Sequence, residues 1–231
     1  MKTARSVGWL FLAIVSALTC HGAEPVPFWE LPKSTVGLNS LTPAEVKLVA
    51  APDTQRGMIL LQTGEEVPVA DFVPTRADLK VLVPEMDGGY AIVQNGLANG
   101  ITPFGDRKYK LSKVPKAFEG LTLLQTKMGH KAIVDATYAI TVSTPKPCLV
   151  FLALDDRVID IYKQHGTPGW LSEYEPTGET IKTDEPVMAE TDAAYQVFVR
   201  KSGGGRIVLG PPGMDIRFNS MYFAFFGEAK P

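Results

Sequence analysis

Carboxylates crowd one stretch of this chain. Asp155-Asp156-Arg157 closes an apolar run, and Asp160, Glu173 and Glu175 follow within twenty residues. Two carboxylates at the right separation can act as acid and base on a glycosidic bond. Neighbours on a strand, however, point to opposite faces, so Asp155 and Asp156 do not serve one site without a bulge. An Asp-Arg pair at a strand end reads more simply as an ion pair that fixes a loop. The same holds for Asp106-Arg107, which opens the strand carrying Tyr109. His130 and His165 lie 35 residues apart, and neither has an acidic ligand at helical spacing, so no metal centre is expected. His-Glu-x-x-His, Gly-x-Ser-x-Gly, Walker and Cys-x-x-Cys patterns are all lacking, and no cofactor is implied.

Aromatic residues suggest a different chemistry. Sugar rings present apolar C–H faces that pack on flat aromatic rings, while their hydroxyls seek Asp, Asn, Arg and Lys. Trp170 lies in Thr167-Pro168-Gly169-Trp170-Leu171, with Tyr162 and Tyr174 nearby. Its ring reads two ways: a face offered to a ligand, or a plug of the core whose N–H is bonded to a carbonyl. Tyr222, Phe223, Phe225 and Phe226 make both faces of one segment apolar, the mark of a central strand.

Positioning these residues falls to β-strands. Short runs separated by Gly, Pro, Asp or Asn recur at Met58–Thr63, Val67–Phe72, Leu79–Val83, Tyr90–Gln94, Lys108–Ser112 and Leu121–Thr126. Further runs occupy Thr137–Val142, Cys148–Leu154, Tyr195–Arg200, Arg206–Leu209 and Asn219–Phe226. This spacing predicts an all-β fold, an antiparallel, jelly-roll-like β-sandwich. Thr42-Pro43-Ala44-Glu45 has the form of a capping box and predicts one short N-terminal helix. Asp160–His165 fits a helical turn or an extended excursion. Gly203-Gly204-Gly205 predicts a tight turn joining Tyr195–Arg200 to Arg206–Leu209 as a hairpin. Pro176–Asp192 lacks periodicity and reads as a long irregular connection.

Composition sets the outer limits. The chain has 231 residues, 45% hydrophobic and 21% charged, with 23 Lys+Arg against 25 Asp+Glu. That balance carries no basic excess of the kind that marks nucleic-acid binders. Lys2 and Arg5 precede an apolar run from Val7 to Leu18 and small residues up to Ala23, which describes a secretory signal peptide over residues 1–23. The expected location is secreted or periplasmic, with no transmembrane segment in the mature chain. Lipid anchoring through Cys20 is the alternative, although Ala17 and Thr19 stand where that motif wants Leu and a smaller residue. Residues 24–40 read as a linker and 101–231 as the sandwich. Residues 41–100 read as a β-rich region, either part of that sandwich domain or separate from it. Cys148 sits in an apolar run and reads as a buried thiol.

The stretch Gly105–Phe225 resembles a β-sandwich module that recurs in secreted bacterial polysaccharide-processing proteins. The residues that carry the likeness are Gly105-Asp106-Arg107-Lys108-Tyr109, Val114-Pro115, Leu121–Met128, Val150–Arg157, Gly169-Trp170-Leu171, Gly205–Gly210 and Asn219–Phe223. Such modules are carbohydrate-binding or accessory domains of glycan-degrading enzymes. The resemblance implies a non-catalytic protein that binds polysaccharide or a cell-envelope component. Trp170 would be its stacking platform, with Asp156, Arg157, Asp106, Arg107 and Tyr109 in support. Two departures stand out: Gly210-Pro211-Pro212-Gly213 replaces the module's Gly-Gly-Asn exit, and Val158–His165 lengthens the approach to Trp170. A small lyase or hydrolase drawing on Tyr162, His165, Arg157 and the carboxylates from Asp155 to Glu175 is one alternative. A purely structural envelope protein is the other.

Overall fold

A computed structural model describes residues 26–52, 58–60, 66–68, 86, 88–133, 138–188, 191–212 and 220–229. The expected signal segment and Leu79–Val83 lie outside the described residues. Among those described are thirteen strands: β1 (Leu41–Pro43), β2 (Lys47–Ala50), β3 (Met58–Leu60), β4 (Glu66–Pro68), β5 (Ala91–Val93), β6 (Leu111–Lys113) and β7 (Thr122–Gln125). The others are β8 (Ile140–Thr144), β9 (Cys148–Asp155), β10 (Glu175–Met188), β11 (Thr191–Ser202), β12 (Gly205–Leu209) and β13 (Phe223–Ala229). One helix, α1 (Asp156–His165), follows β9. No helix among the described residues is long and apolar enough to cross a membrane.

The fold is all-β, and the ladders between these strands are antiparallel. A large sheet runs β5-β7-β13-β9-β11-β10-β6, with β1 also paired to β13; a smaller one runs β12-β8-β2. All eight residues of β9 are buried, as are Phe223–Gly227 of β13, because both strands are central and covered on both faces. One face carries Phe151, Tyr195, Phe223 and Phe225, joined by Phe104 and Phe118; Phe151 and Phe225 stack at 4.9 Å. The other carries Leu152, Phe198 and Phe226, with Phe28 lying on Phe198 at 4.7 Å and reaching Tyr162 of α1.

The two sheets share a bent ribbon. The register runs from Ile140↔Leu209 to Thr144↔Gly205 in the small sheet, then from Cys148↔Ser202 to Asp155↔Tyr195 in the large one. Between them Pro145-Lys146-Pro147 lies opposite Gly203-Gly204, one residue more on one side than the other. The prolines have no N–H to donate to a ladder, so the ribbon turns there. Gly204 has φ +92°, and a Cβ on it would lie 2.9 Å from the carbonyl carbon of Lys146. The expected hairpin between Tyr195–Arg200 and Arg206–Leu209 therefore does not form. Both edges of β11 are already taken by β9 and β10, and the glycines make a corner in a strand that continues.

Two further expectations are corrected. Thr42-Pro43-Ala44-Glu45 starts no helix: Leu41–Pro43 pairs with Gly227–Ala229, the Ala44 N–H donates to Phe226 O at 3.3 Å, and Ala44 and Val46 are buried. Long-range pairing and burial outweigh the local capping signal. Pro176–Asp192 is not an irregular connection, since Glu175–Met188 is a long strand between β11 and β6. Its register shifts at three places, and such bulges erase the alternation a sequence pattern depends on. Asp160–His165 is helical, as one of its two readings expected. Residues of the expected linker lie against the sandwich, with Phe28 buried and the Ser34 N–H donating to Pro176 O at 2.8 Å.

Candidate functional site

The turn after Phe104 places Asp106 in the interior. Its Oδ1 accepts the Met128 N–H at 2.8 Å, and its Oδ2 accepts the Gly129 N–H at 2.9 Å. Arg107 Nη1 donates to the same Oδ2 at 3.0 Å and to the Asp106 carbonyl at 2.8 Å. Removing both charges from water is costly, and this set of hydrogen bonds offsets that cost. The pair pins the 3-10 turn Met128–Ala132 against the sheet. Tyr109, two residues beyond Arg107, is half-buried.

The second Asp-Arg pair is formed by Asp155, not Asp156. Asp155 ends β9 facing inward and caps α1, its Oδ1 accepting the Arg157 N–H at 2.9 Å and Nε–H at 2.8 Å. Arg157 Nη2 reaches Asp155 Oδ2 and, at 3.4 Å, Glu185 Oε2. The Tyr195 hydroxyl donates to that Glu185 oxygen at 3.4 Å and meets Ser220 Oγ at 3.2 Å. Asp156 lies at the surface, and its carboxyl is raised above the usual range, first by partial desolvation and less by the Asp155 charge, with a Gln196 hydrogen bond opposing. Lys131 lies under the charges of Glu185, Arg157, Arg107 and Asp155, and burial chiefly pushes its ammonium down to about 8. Charges from both Asp-Arg pairs, distant in sequence, thus act on one ammonium. Trp170 and Asp156 are not part of that set.

Beside it runs a chain of rings that the sequence pattern did not reveal. The Tyr90 hydroxyl shares hydrogen bonds with His130 Nδ1 at 2.6 Å and with the Tyr138 hydroxyl at 2.5 Å. Burial raises both phenols, and burial helped by Lys127 lowers His130 to about 4 against the pull of Asp106. His130 is therefore a neutral imidazole near pH 7. Among the described residues, no three His, Cys, Asp or Glu side chains converge as metal ligands.

Trp170 belongs to a clasp. Pro211 and Pro212 end β12 because they have no N–H for a ladder, which leaves three successive carbonyls to be satisfied. The Tyr222 hydroxyl donates to Gly210 O at 2.6 Å, Trp170 Nε1–H to Pro211 O at 3.0 Å, and the Tyr162 hydroxyl to Pro212 O at 2.9 Å. Gly210 makes room for the indole: a Cβ there would lie 2.6 Å from Trp170 Cδ1. Tyr174 and Tyr222 pack on the indole at 6.1 and 5.5 Å. The Gly-Pro-Pro departure noted in the sequence is what the clasp holds.

The loop that carries Trp170 also borders a cleft of about 410 Å³. Its walls are Val26–Trp29, Tyr162, Lys163, Gly166–Gly169 and Ser172. Phe28, anchored in the core, fixes the 3-10 turn Phe28–Glu30 and so the position of Trp29, whose ring meets Phe28 edge-on at 5.2 Å. The buried Nε1–H of Trp29 has no acceptor among the described residues. Sequence reasoning missed Trp29 because it sits in a Pro-rich, aperiodic leader; the adjacent Phe28-Trp29 pair was the available signal.

No protein-family model matches the chain, and no curated protein does. Solved structures do. A β-glucuronidase from glycoside hydrolase family 2 is similar over 73% of this chain and 17% of its own, at 17% identity and a TM-score of 0.50. A GH138 enzyme targeting pectin rhamnogalacturonan II matches over 86% of this chain and 18% of its own, at 14% identity and a TM-score of 0.45. The chain thus spans less than a fifth of either enzyme, and the likeness is one of fold.

Proposed function

We propose that this is a secreted or periplasmic, non-catalytic β-sandwich protein that binds carbohydrate. The observation that carries the reading is the open cleft beside Trp29, which combines aromatic walls with a hydroxyl- and carbonyl-bearing rim. A flat ring next to polar groups suits a pyranose, whose C–H face is apolar and whose edge is hydroxylated. The fold likeness to a chain described as a β-glucuronidase supports a carbohydrate-related reading. The non-catalytic half of the reading rests on Asp106, Asp155 and Glu185, which are all engaged in internal ion pairs. Calorimetric titration of the purified protein with neutral and acidic polysaccharides tests the proposal, with reducing-end and unsaturated-product assays run on the same panel. Saturable binding without product is the expected result, and absence of binding across the panel overturns it.

One observation favours glycan-active chemistry instead. Tyr90 and His130 stand 2.6 Å apart near the Asp106 carboxylate, an arrangement able to pass a proton. Product formation that is lost in His130→Gln would establish this second reading.

A further inference from the structure

We infer that the cleft takes an uncharged pyranoside, a short saccharide or a chain end, with Trp29 as the ring platform and the C-terminal end of α1 as the hydroxyl acceptor. This rests on the carbohydrate reading above and specifies its site and ligand class. Trp29 is positioned without being used. Phe28 is locked between Phe198 and Tyr162, so the adjoining indole is held at the cleft wall, yet its N–H is a buried donor without an acceptor among the described residues. Such a donor is uncommon in a folded protein and marks a place where a partner is missing. A ligand hydroxyl would supply the acceptor once the indole turns its N–H to the cleft, and no hydrogen bond of the indole to a described residue opposes that turn.

The other groups complement hydroxyls and not anions. Lys163 and Gly166 line the cleft where α1 ends; the Tyr162 carbonyl already accepts the Gly166 N–H at 3.0 Å, and the carbonyls beyond it have no intrahelical partner and carry the helix's negative pole. They accept from sugar O–H groups and repel a carboxylate or sulfate. Among the described residues of the lining Lys163 is the one charged side chain, and its ammonium already donates to Asp160 Oδ1 at 2.9 Å. The volume is that of a small-molecule site rather than of an extended polysaccharide groove. Gly169 lines the cleft and a Cβ on it would meet nothing within 4 Å, so a larger side chain there adds bulk to the lining with no clash at its first atom.

Full-length protein is titrated with neutral cello-, xylo-, manno- and galacto-oligosaccharides and, for contrast, with oligogalacturonides. At least one neutral series binds, and Trp29→Ala and Gly169→Leu each weaken it tenfold or more while circular dichroism stays unchanged. Gly169→Leu decides the matter if Trp29→Ala fails to fold. Neutral binding indifferent to Gly169→Leu overturns the site and leaves the carbohydrate reading standing. Oligogalacturonides bound as tightly as the best neutral series overturn the ligand class alone. No binding by any oligosaccharide or polysaccharide removes the carbohydrate reading and this inference together.

Discussion

Trp170 and Trp29 flank the same loop and show two uses of one side chain. Trp170 sits over Gly210, packed by Tyr174 and Tyr222, with its N–H given to Pro211. Trp29 stands on a short turn anchored by its neighbour Phe28, with its N–H given to no described residue. An indole whose polar atom is satisfied and whose ring is clasped by other rings contributes stability. One whose ring walls a cleft and whose donor is unmet contributes recognition. Residue type and a turn context do not separate the two; the acceptor does.

The sharpest way to break this contrast is to truncate both rings. Trp170→Ala should cost about 3 kcal/mol in denaturant unfolding, while Trp29→Ala should cost about 1 kcal/mol. Reversed magnitudes would end the distinction. Gly210→Ala comes next, since its methyl would displace the Trp170 indole at a cost of about 2 kcal/mol without weakening saccharide binding. Tyr222→Phe leaves the Gly210 carbonyl one donor short and should cost about 1 kcal/mol, measured as a lower midpoint at unchanged m-value.

A separate effect belongs to pH and should bypass both tryptophans. His130 titrates near 4 in the folded chain and near 6.5 when unfolded, so between those values the unfolded state holds the extra proton. Stability should therefore fall as pH drops from 6.5 towards 4. His130→Gln should flatten that slope in thermal melts, whereas Trp29→Ala and Trp170→Ala should keep it.

Strands that alternate or are wholly apolar were legible in the sequence, and β9 and β13 are the clearest cases. What was not legible depended on partners far along the chain. Thr42-Pro43-Ala44-Glu45 carries a helix signal, but only the edge offered by Gly227–Ala229 decides its pairing. The glycines at 203–205 announce a bend without saying whether the chain reverses or continues. Of the site, Asp106-Arg107 could be read as a loop-fixing pair, and the structure shows it bonded; Arg157 was read with Asp156, whereas its partner is Asp155. Alternation also separated Asp155 from Asp156. The clasp and the cleft were hidden because Gly210–Pro212, Tyr162, Trp170 and Tyr222 meet only after the sheets have folded over one another. Trp29 was hidden by a leader whose only structure is what the sandwich imposes on it.

The shared ribbon has a consequence for how the molecule opens. Two neighbouring segments, Pro145–Pro147 and Gly203–Gly204, cross from one sheet to the other at the same corner. Separating the layers would tear both crossings at once, so neither layer can fray while its counterpart stays intact. Slowly exchanging amides in Ile140–Thr144 should therefore report the same opening free energy as those in Cys148–Asp155. The two sheets that share this corner should open as one.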